Sequence, residues 1–273
     1  MADTYPHGLF AWADLASPDP KAASAFYEAL FGWDANDQHD PEGNYIYTLF
    51  SQDGQQVAGL GDQPDMMKGM PPMWNSYINV DSVDAVVEDA VANGGQVMVP
   101  IMDVMDSGRM AFIADPTGAA VGLWQPGTHR GADTFRGNDV MAWNELATRD
   151  VDAAKAFYSA ILPWRIEKMD MPDDGSGGPP EYWTIHLDSK VDGDGDMDDD
   201  FNGGIILMDE NWPDEIPAHW MMYFRVADTD ATLETLTELG GNISVPPFDT
   251  MAGRISVVND PQGGTFSVIS APE

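Results

Sequence analysis

The stretch that most constrains this chain occurs twice. Asp19–Trp33 reads DPKAASAFYEALFGW, and Asp150–Trp164 reads DVDAAKAFYSAILPW. Ala23, Phe26, Tyr27, Leu30 and Phe31 recur at helical spacing, and Ala154, Phe157, Tyr158, Ile161 and Leu162 repeat that stripe. Each copy therefore predicts a helix with one broad apolar face. Asp19 and Asp150 stand where an N-cap side chain accepts the first free amide protons, and Pro20 brings a helix-ready φ to the first turn. A helix repeated together with its cap marks a duplicated chain.

The flanks repeat as well. His7–Leu15 alternates as a strand, and Val140–Leu146 matches Leu9–Leu15. Tyr45–Phe50 and Gln55–Leu60 are strands joined by Asp53-Gly54, a hairpin signal. Beyond a Pro- and Met-rich connector, Trp74–Val80 is a strand and Ser82 caps a second helix with the stripe Val83, Val86, Val87, Ala90 and Val91, stopped by Gly94-Gly95. Strands at Gln96–Val99, Arg109–Ala114 and Ala119–Trp124 follow, with a turn at Asp115–Gly118. In the second half Trp220–Val226, Gly240-Gly241 and Asp260–Gly263 match Trp74–Val80, Gly94-Gly95 and Asp115–Gly118. Gly127–Gly137 reads as a linker, and the extra residues of the second half fall at Asp173–Pro180 and Asp188–Asp200. The pattern predicts an α+β chain of four βαβββ units, two in a module spanning 1–127 and two in a module spanning 137–273.

Charge narrows the setting. Forty-six acidic residues against 12 basic ones give a net charge of −34, spread over the whole length. With 43% apolar residues and nine tryptophans the chain carries enough apolar material for a core, so disorder is excluded. An acidic, lysine-poor surface fits adaptation to concentrated salt, which screens the self-repulsion. Nucleic-acid binding through a basic surface is not expected, because the phosphate-neutralising side chains are missing. The absence of cysteine excludes disulfides, thiolate metal sites and a cysteine nucleophile. No leader pattern opens the chain and no apolar run approaches the ~20 residues of a membrane span, so a cytoplasmic location is expected.

The ordered signature is a first strand ending in Asp-Leu or Glu-Leu, the helix A-A-x-A-F-Y-x-x-(L/I)-(F/L)-x-W, a Gly-Gly-stopped helix, and Gly-Arg-x₅-Asp-Pro-x-Gly before the last strand. It resembles the vicinal oxygen chelate superfamily, which holds glyoxalases, bleomycin-resistance proteins and extradiol dioxygenases. The resemblance runs from about His7 to Ser270 and is most specific over Ile216–Arg254. It is nearest to the subgroup with two modules in one chain. It implies U-shaped mixed sheets around a cleft in each half, with a divalent metal held by His, Glu or Gln on the first and last strands of each unit. On the first strands the matching positions are about His7, Asn75, Asn138 and Met221; on the last strands they are Gly59, Gly122, Gly204 and Ser267. Only His7 is a good ligand, and no closing position carries a Glu. A one-residue shift brings His219 or Glu145 into play without assembling three ligands. The expectation is a small-molecule-binding protein without the usual metal or another cofactor.

Within that expectation, Trp12 and Trp143 match on the first strands and are either stacking platforms in the clefts or core residues. Tyr77 and Tyr223 match and are placed as cleft-lining residues. Arg109 and Arg254 match, each after a glycine, and either hold a ligand carboxylate or enolate or lock a strand to an acidic neighbour. His186 with Glu181, or His219, are candidates for acid–base work. Asp192, Asp194 and Asp196 resemble the start of a calcium loop, but Gly203 stands where the bidentate Glu belongs, so a solvated acidic loop competes with a weak cation site. Three functional readings remain. They are a metal-free ligand-binding protein, a lyase, isomerase or dioxygenase of the same superfamily, and an interaction module with filled clefts. A monomer or a homodimer is compatible with two modules in one chain.

Overall fold

The computed structural model describes residues 4–169, 181–188 and 200–272. Asp173–Pro180 and most of Asp188–Asp200, including Asp192, Asp194 and Asp196, lie outside the described residues. Among those described, sixteen strands and four α-helices form four βαβββ units. They are β1 (Phe10–Ser17), α1 (Pro20–Phe31), β2 (Asp34–His39), β3 (Tyr45–Gln52) and β4 (Gln55–Asp62); then β5 (Met73–Asn79), α2 (Val83–Ala92), β6 (Gln96–Val104), β7 (Gly108–Ala114) and β8 (Ala120–Pro126). The second half supplies β9 (Val140–Thr148), α3 (Val151–Ile161), β10 (Trp164–Met169), β11 (Tyr182–Leu187) and β12 (Phe201–Leu207). It closes with β13 (His219–Arg225), α4 (Thr229–Glu238), β14 (Asn242–Thr250), β15 (Gly253–Asn259) and β16 (Thr265–Ser270).

Every unit repeats one pairing scheme. The first strand lies parallel to the last, as β1 to β4, β5 to β8, β9 to β12 and β13 to β16, while the remaining strands add as antiparallel hairpins. The caps are those the sequence calls for. The Asp19 carboxylate accepts from the Ala22 amide at 3.1 Å and Asp150 from Ala153 at 3.0 Å. The hairpin between β3 and β4 turns on Asp53 and Gly54 with φ of 52° and 79°, the left-handed pair that a tight two-residue turn demands. Strand β2 (DANDQH) had no apolar alternation to announce it, and β10 (WRIEKM) had only Trp164 and Ile166; among the described residues each pairs on one side, with β3 and with β11.

The compact units do not coincide with the sequence modules 1–127 and 137–273. One contains residues 1–11, 76–131 and 143–221; the other contains 12–75, 132–142 and 222–273. Each therefore combines one βαβββ unit from each half of the sequence. The first, here the inner unit, joins the β5–β8 and β9–β12 segments; the second, the outer unit, joins β1–β4 to β13–β16.

The repeated helix explains how each combination is held. In the outer unit Tyr27 is fully buried; its hydroxyl donates to Asp260 Oδ2 at 3.0 Å and accepts from Trp74 Nε1 at 2.9 Å. In the inner unit Tyr158 accepts from Trp220 Nε1 at 2.9 Å and lies beside Asp115, whose Oδ2 is buried without a hydrogen-bond partner among the described residues. Burial beside a carboxylate pushes both phenols well above their ordinary range, so they stay neutral donors. The tryptophans that end the motif act in the same crossed fashion. Trp33 Nε1 donates to the Asp139 carbonyl at 2.7 Å, and Trp164 Nε1 donates to the Gly8 carbonyl at 2.8 Å. Asp139 and Gly8 are the left-handed residues, φ 60° and 96°, just ahead of β9 and β1. A helix from one half thus grips the Asp-Pro-x-Gly turn and a strand entry of the other.

Candidate functional site

The site is read most directly from the register of first and last strands. Asp14 pairs with Gly59, Tyr77 with Gly122, Glu145 with Gly204, and Tyr223 with Ser267. These four pairs mark equivalent places in the four βαβββ units. His7 and Asn138 precede the strands, because β1 begins only at Phe10 and β9 at Val140. The residues that share the level of Asn75 and Met221 are therefore Trp12 and Trp143, not His7 and Asn138. His7 sits in a turn, where Nδ1 accepts the Asp81 amide at 3.1 Å. It borders an open surface depression of about 420 Å³ shared with Pro6, Pro163, Leu187 and Asp188, which contains none of the strand residues just named.

Three of the closing positions are glycines because tyrosines lie on them. A Cβ on Gly59 would stand 1.9 Å from the Tyr47 hydroxyl, and one on Gly204 would stand 2.0 Å from the Tyr182 hydroxyl. A Cβ on Gly122 would stand 2.5 Å from the Tyr77 ring. All three contacts are far inside the reach of any real side chain. The space that a metal-binding carboxylate needs is filled by aromatic rings, so these residues do not fit the family's divalent ion. No group of three His, Asp or Glu side chains able to hold a metal occurs among the described residues.

In the outer unit the tyrosine organises a polar corner. Trp12 Nε1 donates to the Tyr47 hydroxyl at 3.2 Å, which in turn donates to Asp14 Oδ2 at 3.1 Å, while Asn75 Nδ2 donates to Asp14 Oδ1 at 2.9 Å. The Tyr47 hydroxyl is buried next to this carboxylate and is held well above the usual phenol range. The inner unit repeats the start of the chain: Trp143 Nε1 donates to the Tyr182 hydroxyl at 3.0 Å, beside Glu145 on the same strand. Asp14, Asn75, Glu145 and Met221 are all half-buried, which leaves them within reach of a ligand. Tyr47, Tyr182 and Asp14 carry this arrangement although the sequence reading had not singled them out. The available signal was the doubled Trp-x-acid pattern, Trp12-Ala13-Asp14 and Trp143-Asn144-Glu145.

The other expected site residues are placed as follows. Trp12 is buried and Trp143 half-buried, each acting through its indole N–H. Tyr77 and Tyr223 are both buried, Tyr77 packing edge-to-face on Phe112 at 5.3 Å. Arg109 bridges Asp84 in the first turn of α2 and Asp103 at 3.0 Å; Arg254 bridges Asp230 in the first turn of α4 at 2.7 Å and Asp249 at 3.0 Å. The paired guanidinium holds the Asp84 and Asp230 carboxyls below their ordinary range. The matched arginines thus tie strands to helix N-termini rather than to the Asp14 and Glu145 corners. His186 Nδ1 lies 3.1 Å from Asp200, with Thr184 on Nε2 at 2.8 Å, whereas Glu181 pairs with Lys168. His219 Nδ1 lies 2.9 Å from the Pro217 carbonyl.

Comparison with known proteins matches this architecture. The family model described as Glyoxalase/Bleomycin resistance protein/Dioxygenase superfamily matches residues 9–123 and again 140–268. A Mycobacterium tuberculosis protein bearing the name "Putative glyoxylase CFP32" is 40% identical over 98% of this chain and 97% of its own length. The anthracycline biosynthesis protein DnrV of Streptomyces peucetius is 36% identical over 97% of this chain and 94% of its own. Among solved structures, the Mn(II)-bound glyoxalase from Novosphingobium aromaticivorans has a TM-score of 0.59 at 16% identity, covering 98% of this chain and 84% of that one. The 2,3-dioxygenase LapB from Pseudomonas sp. KL28 has a TM-score of 0.61 at 13% identity, with 98% and 94% covered. At these identities the structural likenesses concern the fold alone. With its doubled strand–helix signature, its four βαβββ units and a family match over both halves, the chain belongs to the glyoxalase/bleomycin resistance protein/dioxygenase superfamily.

Proposed function

We propose that the protein binds a small aromatic, oxygen-bearing organic molecule against the sheets of its two compact units, without a divalent metal at the family's usual positions. The observation that carries this reading is the set of closing glycines under tyrosine rings, which replaces would-be carboxylate ligands by aromatic surface and phenol hydroxyls. Trp12 and Trp143 with Tyr47 and Tyr182 offer ring surface, and Asp14 and Glu145 offer a charged acceptor at its edge. The names of the Streptomyces relatives, anthracycline biosynthesis proteins, point to polycyclic aromatic chemistry of the same kind. One chain supplies both strand sets of each unit, so a monomer is sufficient for binding.

Titration with 1,8-dihydroxyanthraquinone, followed by quenching of tryptophan fluorescence, tests the proposal. Saturable binding that weakens at least tenfold in Asp14→Asn/Glu145→Gln supports it. Absence of quenching up to the solubility limit favours instead the interaction-module reading, for which the buried Tyr77 and Tyr223 are the supporting observation. Equilibrium dialysis against Mn(II), Ni(II) and Zn(II) addresses the metal. Stoichiometric uptake abolished by Asp14→Asn would overturn the metal-free reading and restore lyase or dioxygenase chemistry. The acidic, lysine-poor composition supports a working environment of concentrated salt. A melting temperature that rises steeply from about 0.1 M to about 2 M KCl is the expected signature, and a flat profile removes the idea.

A further inference from the structure

The end of β5 differs in charge from its equivalent in the outer unit. Asn79 pairs with Trp124 on β8, and Arg225 pairs with Ile269 on β16. The Asn79 carbonyl accepts from the Gly8 amide at 2.8 Å, as the Arg225 carbonyl accepts from the Asp139 amide at 2.6 Å. The next residues, Val80 and Val226, each donate at 2.8 Å, to the carbonyls of Trp124 and Ile269. Asn79 and Arg225 therefore hold the same place in their units. Two residues further on, Asp81 in the inner unit answers to Ala227 in the outer one. The outer unit carries a guanidinium and a methyl group where the inner unit carries an amide and a carboxylate.

Asn79 is only 1% exposed. Its Nδ2 donates to the Tyr5 carbonyl at 2.7 Å and to the Pro6 carbonyl at 3.1 Å, which fixes the nitrogen end of the amide. Oδ1 is consequently an acceptor, and it is buried without a hydrogen-bond partner among the described residues. A buried acceptor left in that condition calls for a bound water or ion. Asn79 lines a surface depression of about 170 Å³ together with Thr4, Val80, Asp81, Gln125 and Pro126, all of the inner unit. Asp81 is exposed and forms no ion pair among the described residues. None of these lining residues is basic. Arg130 stands instead over the Tyr5 ring at 5.4 Å, and His7 Nδ1 accepts the Asp81 backbone amide.

We propose that this depression binds a monovalent inorganic cation, K⁺ or Na⁺, through Asn79 Oδ1 and the Asp81 carboxylate, with the Thr4 hydroxyl and water completing the shell. The ion supplies the inner unit with the positive charge that Arg225 supplies to the outer one. One carboxylate among neutral oxygens falls short of the charge and ligand number that hold Ca²⁺ firmly. It suits a singly charged ion that is bound weakly and filled by mass action in concentrated salt. Screening of the acidic surface depends on ionic strength and not on which cation supplies it, whereas a coordinating site discriminates between cations. The inference is independent of the small-molecule reading above.

Thermal unfolding of the full chain at about 1 M KCl, NaCl or tetramethylammonium chloride tests the site, because the last cation screens equally but cannot be coordinated. The expected melting temperature in KCl or NaCl lies about 3 °C above that in tetramethylammonium chloride. Asp81→Asn should remove most of this difference. Asp53→Asn, which removes an exposed charge from the β3–β4 turn, should leave it intact. Asn79→Arg/Asp81→Ala, which gives the inner unit the outer unit's residues, should abolish it, with circular dichroism confirming the fold. Sodium NMR supplies a direct readout: line broadening that KCl competes away in the native chain should fall severalfold in Asp81→Asn. Equal melting temperatures in the three salts would overturn the site and leave screening standing alone. A cation preference that survives Asp81→Asn, or one that Asp53→Asn reduces as much, would overturn it as well.

Discussion

The corners around Asp14 and Glu145 descend from one sequence pattern and teach different things. Both have a tryptophan two residues before the acid, a tyrosine hydroxyl receiving the indole N–H, and a glycine under that tyrosine. What they share concerns the aromatic filling of the closing positions. What separates them, Asn75 and Ser267 against Met221 and Gly122, is supplied by the strand set that comes from the opposite half of the sequence. Duplication made the corners alike; the crossed pairing gives each a different set of neighbours to evolve with. The scaffold contacts have kept a common indole clasp, with Tyr27 accepting from Trp74 and Tyr158 from Trp220.

The largest expected effect tests the shared part. Gly59→Glu and Gly204→Glu each drive a side chain into a tyrosine hydroxyl, and both should cost about 3 kcal/mol or more in urea denaturation. A Gly59→Glu protein with native stability and a newly bound Mn(II) ion would show that Tyr47 yields easily and that the position is merely vacant.

Next come the clasps. Tyr27→Phe removes a hydroxyl bonded to both Trp74 and Asp260, for an expected loss of about 2 kcal/mol, while Tyr158→Phe removes one bonded to Trp220 alone and should cost about 1 kcal/mol. Equal losses would show that the hydrogen bond from Tyr27 to Asp260, which Tyr158 does not make to Asp115, adds nothing to the outer clasp.

A smaller effect separates Asp139 from its counterpart Gly8. Burial pushes the Asp139 carboxyl up to about 6 from an ordinary 3.8. The folded state therefore prefers the protonated form; this contribution is fully favourable below about pH 3.8 and is lost as the pH rises through 6. Asp139→Asn keeps a residue that tolerates the left-handed backbone. It should raise stability at pH 7 by about 1 kcal/mol, allowing for partial exposure, and change nothing near pH 3.5. Denaturation midpoints at the two pH values decide it, and an equal change at both would refute the electrostatic cause. Smallest of all are Arg109→Gln and Arg254→Gln, which remove exposed ion pairs and should leave the melting temperature and anthraquinone binding unchanged within error. A tenfold loss of binding in either would return these arginines to a ligand-holding role.

How much of this was legible beforehand follows from the kind of interaction involved. Caps, apolar stripes and turns are local, so Asp19, Asp150, Ser82, Gly54 and the Gly-Gly stops announced their elements directly. The polar strand β2 did not, because a strand that pairs on one side among the described residues needs no apolar alternation. The strand expected from His7 begins only at Phe10, while β9 begins at the expected Val140; the ligand positions set at His7 and Asn138 fall ahead of both strands, since the chain turns at Gly8 and Asp139 before pairing begins. That small shift moved attention from Asp14 and Glu145 to residues outside the strands. The matched arginines carried no mark to distinguish a ligand anchor from a strand-to-helix tie, because the helix-end acids they meet, Asp84 and Asp230, lie 25 and 24 residues away.

The repeated Asp19–Trp33 motif marked the chain as a duplication, and together with the Gly-Gly stops and the Gly-Arg-x₅-Asp-Pro-x-Gly turns it pointed to the βαβββ units and the superfamily. Local spacing and capping are encoded within a dozen residues, and they survive in both copies. Which units share a core, why three of the closing positions are glycine, and that Asp14 receives the Asn75 amide were decided only in three dimensions. Those outcomes depend on side chains far apart in sequence, such as Tyr27 with Asp260 and Asp14 with Asn75, which no periodicity along the chain can bring together.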